Sequence, residues 1–199
     1  PLAKWRDAFE LPESVVYLDG NSLGPLPRAT RDRVLKTLNE EWGRDLIKSW
    51  NTAGWMDMPA KIGAEIAALL GADAHEVVTA DSTSVNLFKV LSAAVRMRPD
   101  RQVILSEKGN FPTDLYIAQG LAKLLDEGHE LRLVDREDLA ESIDSSIGVV
   151  MLTQVDYRTG SRLDMKAITE RAHAVGAVTI WDLAHSAGAI PVDLNDANA

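Results

Sequence analysis

From residue 76 onward, apolar and polar positions fall into two kinds of block. Short apolar runs ("EVVTA", "RQVILS", "HELRLV", "GVVMLT" and "AVTIWDLA") are separated by segments with helical spacing: "STSVNLFKVLSAAV", "PTDLYIAQGLAKLLDEG", "REDLAESI" and "DMKAITERAHAVG". Short runs rich in Val and Ile predict strands, and the periodic segments between them predict helices. This alternation predicts βαβ crossovers and the α/β class, a mostly parallel sheet flanked by helices. A stretch such as Val149–Leu152, apolar at every position, predicts a strand buried on both faces.

The N-terminal part reads differently. Residues 1–55 hold Trp5, Trp42, Trp50 and Trp55, four of the five tryptophans, together with the turn-rich "LDGNSLGPLPRAT". Residues 1–55 are therefore expected to form an N-terminal arm, and 56–199 the first part of a larger α/β domain. Pro27 suits the first turn of a helix, where a missing N–H costs nothing. Val34, Leu38 and Trp42 recur every fourth residue and predict one buried face of that helix. A second helix is expected from about Pro59 to Leu70, with Ile62, Ile66, Leu69 and Leu70 turned inward and Gly71 as its stop.

Composition narrows the function classes. The chain has 199 residues, 46% of them hydrophobic, enough for one sizeable core. Thirty acidic against 21 basic residues give a net charge of −9, which argues against a nucleic-acid binder. No apolar stretch reaches the ~20 residues that cross a bilayer, no secretory signal is visible and cysteine is absent, so a cytoplasmic protein without membrane contact is expected. The four histidines lack metal-ligand spacing, so no metal site is expected.

In open parallel sheets, ligands bind beyond the carboxyl ends of the strands. There the chain delivers "ADSTS", "EKGNFPTD", "TQVDY" and "DLAH". Ser82, Thr83 and Ser84 read either as helix caps or as an anion cradle at a helix start. Phe111–Asp114 reads either as a loop entering a helix or as an aromatic platform beside a carboxylate. Thr153 and His185, each taken alone, read as a strand-end hydroxyl and a satisfied core histidine. Asp182 raises the sharper question, because an unpartnered ionised carboxylate at the edge of an apolar sheet costs several kcal/mol. It is satisfied by a helix or turn start, by a surface position, by a metal, or by a protonated heterocyclic nitrogen. The last is the role an Asp plays toward the pyridine ring of pyridoxal phosphate.

With these residues in view, the chain resembles the kynureninases, pyridoxal 5'-phosphate (PLP) enzymes of the fold type I, class V aminotransferase group. "YLDGNSLGPLP", "EEWGRDLIKSWNTAGW", "STSVNLFKVLSAA", "NFPTDLYIAQGLA", "VVMLTQVDYRTG" and "IWDLAHSAGAIPVDL" match in order, as the N-terminal half of such a protein. The resemblance implies the large PLP-binding domain of a fold type I enzyme, incomplete in this chain. It implies that Thr83 and Ser84 hold the cofactor phosphate and that Phe111 stacks on the ring. Pro112, Thr113 and Asp114 would line the pocket, and Thr153 would approach the ring edge. Asp182 would pair with the pyridine nitrogen, with His185 supporting the cofactor from the same strand end. Ser22 and Trp50 are implied as substrate contacts, against the alternatives of a turn serine and a core or interface tryptophan.

The implied reaction is hydrolysis of L-kynurenine, or 3-hydroxykynurenine, to anthranilate and L-alanine in tryptophan catabolism, by a homodimer. The family's Schiff-base lysine lies on a later strand, and none of the eight lysines here sits in a matching motif. The chain alone is therefore expected not to turn over, and as a free fragment to aggregate through an exposed strand edge. A cysteine desulfurase is the nearest alternative, although that group typically stacks a histidine where "NFPTD" offers Phe111. A non-catalytic cofactor-binding or interaction module is the other.

Overall fold

A computed structural model describes residues 2–199, which divide into two compact units, through Lys61 and from Ile62 onward. The first unit carries a two-residue antiparallel pair, β1 (Phe9–Glu10) with β2 (Leu26–Pro27), which leads into α1 (Arg28–Lys36). Pro27 stands one residue ahead of the helix, with φ −67 and ψ 134, rather than inside its first turn. The helix continues as a wider turn over Thr37–Trp42, then a 3-10 turn at Leu46–Lys48 and the single-turn α2 (Ser49–Thr52). The expected apolar stripe forms but is not buried. Val34, Leu38 and Trp42 are 50%, 45% and 62% exposed. The buried residues here are Ser49 and Glu41, whose carboxylate accepts from Trp55 Nε1 at 2.8 Å and Arg33 Nη1 at 2.9 Å.

The second unit has the predicted α/β fold. Its sheet runs β4 (Glu130–Val134), β3 (Val103–Glu107), β5 (Ile147–Thr153), β6 (Val178–Asp182), with every pair parallel. All seven residues of β5 are buried, as a fully apolar central strand requires. Its side chains alternate between two cores. Val150 and Leu152 join Leu105, Leu139 and Ile168 on one face, where α6 (Met165–Ala174) packs. Val149 and Met151 join Leu87, Leu91, Ala118 and Leu121 on the other, under α4 (Thr83–Met97) and α5 (Pro112–Leu125). A short α7 (Leu194–Ala197) adds Ala197 to a third cluster with Met165 and Val192.

Three expectations change here. "EVVTA" forms no strand among the described residues, and Val78 is 66% exposed. The segment is held instead by α3 (Met58–Leu70), where a Cβ on Gly63 would lie 2.1 Å from the Val77 carbonyl oxygen. That close approach puts Gly63 and Ala67 on the inward face of α3 and leaves Ile62 and Leu69 exposed. Gly71 does end the helix, in the left-handed region at φ +61. "REDLAESI" forms only a 3-10 turn, Arg136–Asp138. β6 is half-buried throughout, as an edge strand of the four.

Candidate active site

The turn between β3 and α5 is built by Asn110. Its Oδ1 accepts the Phe111 N–H at 2.7 Å, and its Nδ2 donates to Ser106 Oγ at 2.9 Å. Pro112 then opens α5, where its missing N–H is harmless, and the Asp114 N–H returns to the Phe111 carbonyl at 3.0 Å. One turn into the helix, Asp114 is 3% exposed. From the tip of β5, Thr153 donates to Asn110 Oδ1 at 2.5 Å and lies 3.5 Å from Asp114 Oδ2. Since β5 and β6 pair with Thr153 opposite Asp182, the strand register brings Asp182 to the same place.

Two carboxyls thus share one end of the sheet. Burial, with the Asp182 charge beside it, pushes the Asp114 carboxyl up to about 7. Asp182 is half-buried, and its Oδ1 accepts the Ala184 N–H at 2.7 Å. The turn-start reading of Asp182 is therefore realised for one oxygen. His185 sits in that turn, with Nδ1 3.3 Å from the Val155 carbonyl oxygen. A carbonyl only accepts, so this contact puts the ring proton on Nδ1. Phe111, Tyr157 and His185 form an aromatic group. Their ring centroids are 5.2 Å apart for Phe111–Tyr157, 6.0 Å for Phe111–His185 and 6.4 Å for Tyr157–His185.

The structure therefore gathers Phe111, Asp114, Thr153, Asp182 and His185. Pro112 and Thr113 complete the first turn of α5, Pro112 exposed and Thr113 half-buried. Ser82 caps α4, its Oγ accepting the Val85 N–H at 3.4 Å. Thr83 and Ser84 form the first turn of α4 and are not part of the hydrogen-bonded cluster. Ser22 and Trp50 belong to the first unit, where Ser22 donates to Asp19 Oδ1 at 2.7 Å and Trp50 is 48% exposed. Sequence reasoning missed Ser106, Asn110 and Tyr157 as site residues. The place of Asn110 immediately before "FPTD", and of Tyr157 four residues past Thr153, were the signals available.

The donor set suits a flat aromatic group with a protonated ring nitrogen: a carboxylate, a neighbouring hydroxyl and aromatic faces at one strand end. Solved structures share this α/β fold. A C-DES mutant with glycine covalently linked to its PLP cofactor superposes with a TM-score of 0.80 at 19% identity, over 96% of this chain and 52% of that one. The Escherichia coli cysteine desulfurase CsdA does so at 0.78 and 21% identity, over 100% and 52%.

The aminotransferase class-V family model matches residues 16–199, and the chain belongs to that family of PLP-dependent enzymes. Within it, the chain is 56% identical to a kynureninase of Pseudomonas fluorescens over 203 residues and 54% identical to one of Deinococcus radiodurans over 204. Both matches cover 100% of this chain and 49% of the relative, so the chain spans about half the length of the proteins it matches. Among the described residues no helix is long and apolar enough to cross a membrane.

Proposed function

We propose that this chain supplies the first part of the PLP-binding domain of an enzyme that hydrolyses L-kynurenine to anthranilate and L-alanine. The observation that carries the reading is the meeting of Asp182, Asp114, Thr153 and the Phe111 ring at one end of the parallel sheet. It is supported by relatives called kynureninase at 52–56% identity along the whole chain. When bound, the cofactor supplies an electron sink that stabilises negative charge next to its imine carbon. Asp182 holds the ring-nitrogen proton, Phe111 covers a ring face, and His185 and Thr153 fix the ring edge. Thr83 and Ser84, at the start of α4, hold the phosphate, where helix N–H groups favour an anion. Ser22 and Trp50 contact the substrate. The lysine that anchors the cofactor comes from the part of the relatives beyond the matched half.

The whole protein works in the cytoplasm as a homodimer on this reading. The exposed Val34, Leu38, Trp42 and Trp50 of the first unit support a second copy there. The test is steady-state turnover of L-kynurenine and 3-hydroxykynurenine by the full-length protein. Borohydride trapping of the cofactor and sedimentation of the holoenzyme accompany it. Release of anthranilate and alanine at saturating cofactor is expected. Cofactor capture without cleavage of either substrate overturns the assignment in favour of another class V chemistry.

A further inference from the structure

The loop that follows β5 closes on itself around one buried carboxylate. Asp156 is 8% exposed, and its Oδ1 accepts the Arg158 and Thr159 N–H groups, each at 2.8 Å, and the Thr159 hydroxyl at 3.1 Å. Its backbone takes part as well. The Asp156 N–H donates to the Ser161 carbonyl at 3.0 Å, and the Asp156 carbonyl accepts the Gly160 N–H at 2.9 Å. Val155 and Arg162 bridge antiparallel at the mouth of the loop, and Gly160 turns it in the left-handed region at φ +70. The loop is also tied to the sheet end on two sides. Arg158 Nη2 donates to the Gly109 carbonyl at 3.3 Å, two residues ahead of Phe111, and the Val155 carbonyl takes the ring N–H of His185. What this turn presents is Tyr157. Its ring meets Phe111 edge to face, at 76° with centroids 5.2 Å apart, and the Arg158 guanidinium lies over it at 5.4 Å from the centroid.

On the reading that Phe111 covers a face of the cofactor ring, we propose that Tyr157 is its positioning residue: aimed by the Asp156 turn, the Tyr157 ring fixes the plane in which Phe111 meets that cofactor. The backbone of Phe111 is already pinned, its N–H on Asn110 Oδ1 at 2.7 Å. Its ring is half-buried, and the torsion that sets an aromatic plane is broad unless neighbours restrain it. An edge-to-face contact is directional, because the positive edge of one ring seeks the negative face of the other. Tyr157 therefore restrains rotation of the Phe111 ring where an aliphatic side chain only fills space. His185 meets the same ring less squarely, at 59° and 6.0 Å. A flat ligand stacks only on a face held parallel to its own, so a Phe111 ring that turns freely loses binding. The role asks for the Tyr157 ring and not for its hydroxyl, and it asks for the Asp156 carboxylate only as the anchor of the turn.

The test is titration of the full-length protein, freed of cofactor, with pyridoxal 5'-phosphate, read by Kd and by the visible circular dichroism of the bound ring. Tyr157 is 45% exposed, so its replacement leaves the core intact. Tyr157→Leu is expected to raise Kd about five-fold and to weaken the dichroic band, and Tyr157→Phe to restore both. Asp156→Ala is expected to raise Kd as Tyr157→Leu does; should it not fold, the Tyr157 variants decide alone. In a Phe111→Leu background Tyr157→Leu should add nothing, because the ring it positions is gone. An equal rise in both backgrounds overturns the proposal, since Tyr157 then acts without Phe111. An unmoved Kd in Tyr157→Leu or in folded Asp156→Ala overturns it too, as does a loss that Tyr157→Phe fails to restore. In each of these cases Phe111→Leu still weakens binding, and the reading of Phe111 stands. A Phe111→Leu protein with unmoved Kd and dichroism removes that reading, and the role of Tyr157 falls with it.

Discussion

Up to Lys61 the buried residues are Glu41 and Ser49, both polar; from Ile62 onward lie all the buried hydrophobic side chains among the described residues. The first unit is pinned at a point. Glu41 takes Trp55 Nε1 and Arg33 on its carboxylate and Ser49 Oγ on its backbone carbonyl. The Trp55 hydrogen bond, chiefly, holds its carboxyl below the usual range. The second unit is held over an area, with β5 between two apolar cores. The contrast teaches that a periodic apolar stripe reports which side chains share a face. It does not report whether anything covers that face.

The sharpest way to break this contrast is at the sheet tip. Asp182→Ala in the full-length protein is expected to lower kcat at least about a thousand-fold at saturating cofactor, with an unchanged circular dichroism spectrum. Near-normal turnover would remove Asp182 from the chemistry. Next comes pH. Burial beside Asp182 pushes the folded Asp114 carboxyl up to about 7, above the ordinary aspartate range, so the folded state holds the proton more tightly than the unfolded one. Stability therefore falls as pH rises from about 4 through 7, by on the order of 4 kcal/mol once both states are ionised. Melting curves of the cofactor-free protein should show this loss, and Asp114→Asn should flatten it. A pH-independent difference between the two proteins would contradict it.

Smaller effects sharpen the comparison of the two units. Leu152→Ala empties a site that is 1% exposed and is expected to cost about 2–5 kcal/mol in chemical denaturation. Glu41→Ala leaves the Trp55 N–H without its acceptor and is expected to lower stability by less than Leu152→Ala does. Hydrogen exchange should place that loss in residues 37–55 and leave the sheet protected. Val34→Ala, at a position 50% exposed, should change stability by no more than about 0.5 kcal/mol in the monomer. A larger monomer effect would mean that the stripe is covered after all.

The sheet was legible in the sequence because each of its four strands is a compact apolar run bounded by turns, and α4, α5 and α6 follow from their periodicity. "EVVTA" has the same composition, yet the Gly63–Val77 approach holds it against a helix, and a pattern of side chains does not reveal a backbone contact. In the site, Asp182 was visible as an unusual carboxylate, and Asp114 only as one of two readings of "FPTD". Their encounter depends on β3 and β6 both flanking β5, and strand order is not written in any local window. Asn110 escaped notice for a related reason. An asparagine before a proline-led helix reads as a turn residue, and its hold on Ser106 and Thr153 joins positions up to 43 residues apart.

Gly63 carries a consequence at a distance. The Val77 carbonyl rests against it, and three residues further along Asn86 Nδ2 grips the Ala80 carbonyl at 2.7 Å, just ahead of the Ser82 cap. The bare α-carbon at 63 thus works as a shim that sets how far the chain stands from α3 before it enters α4. Even one methyl group inserted there would push outward on the segment that delivers Thr83 and Ser84, two turns of chain and a helix away from the substitution.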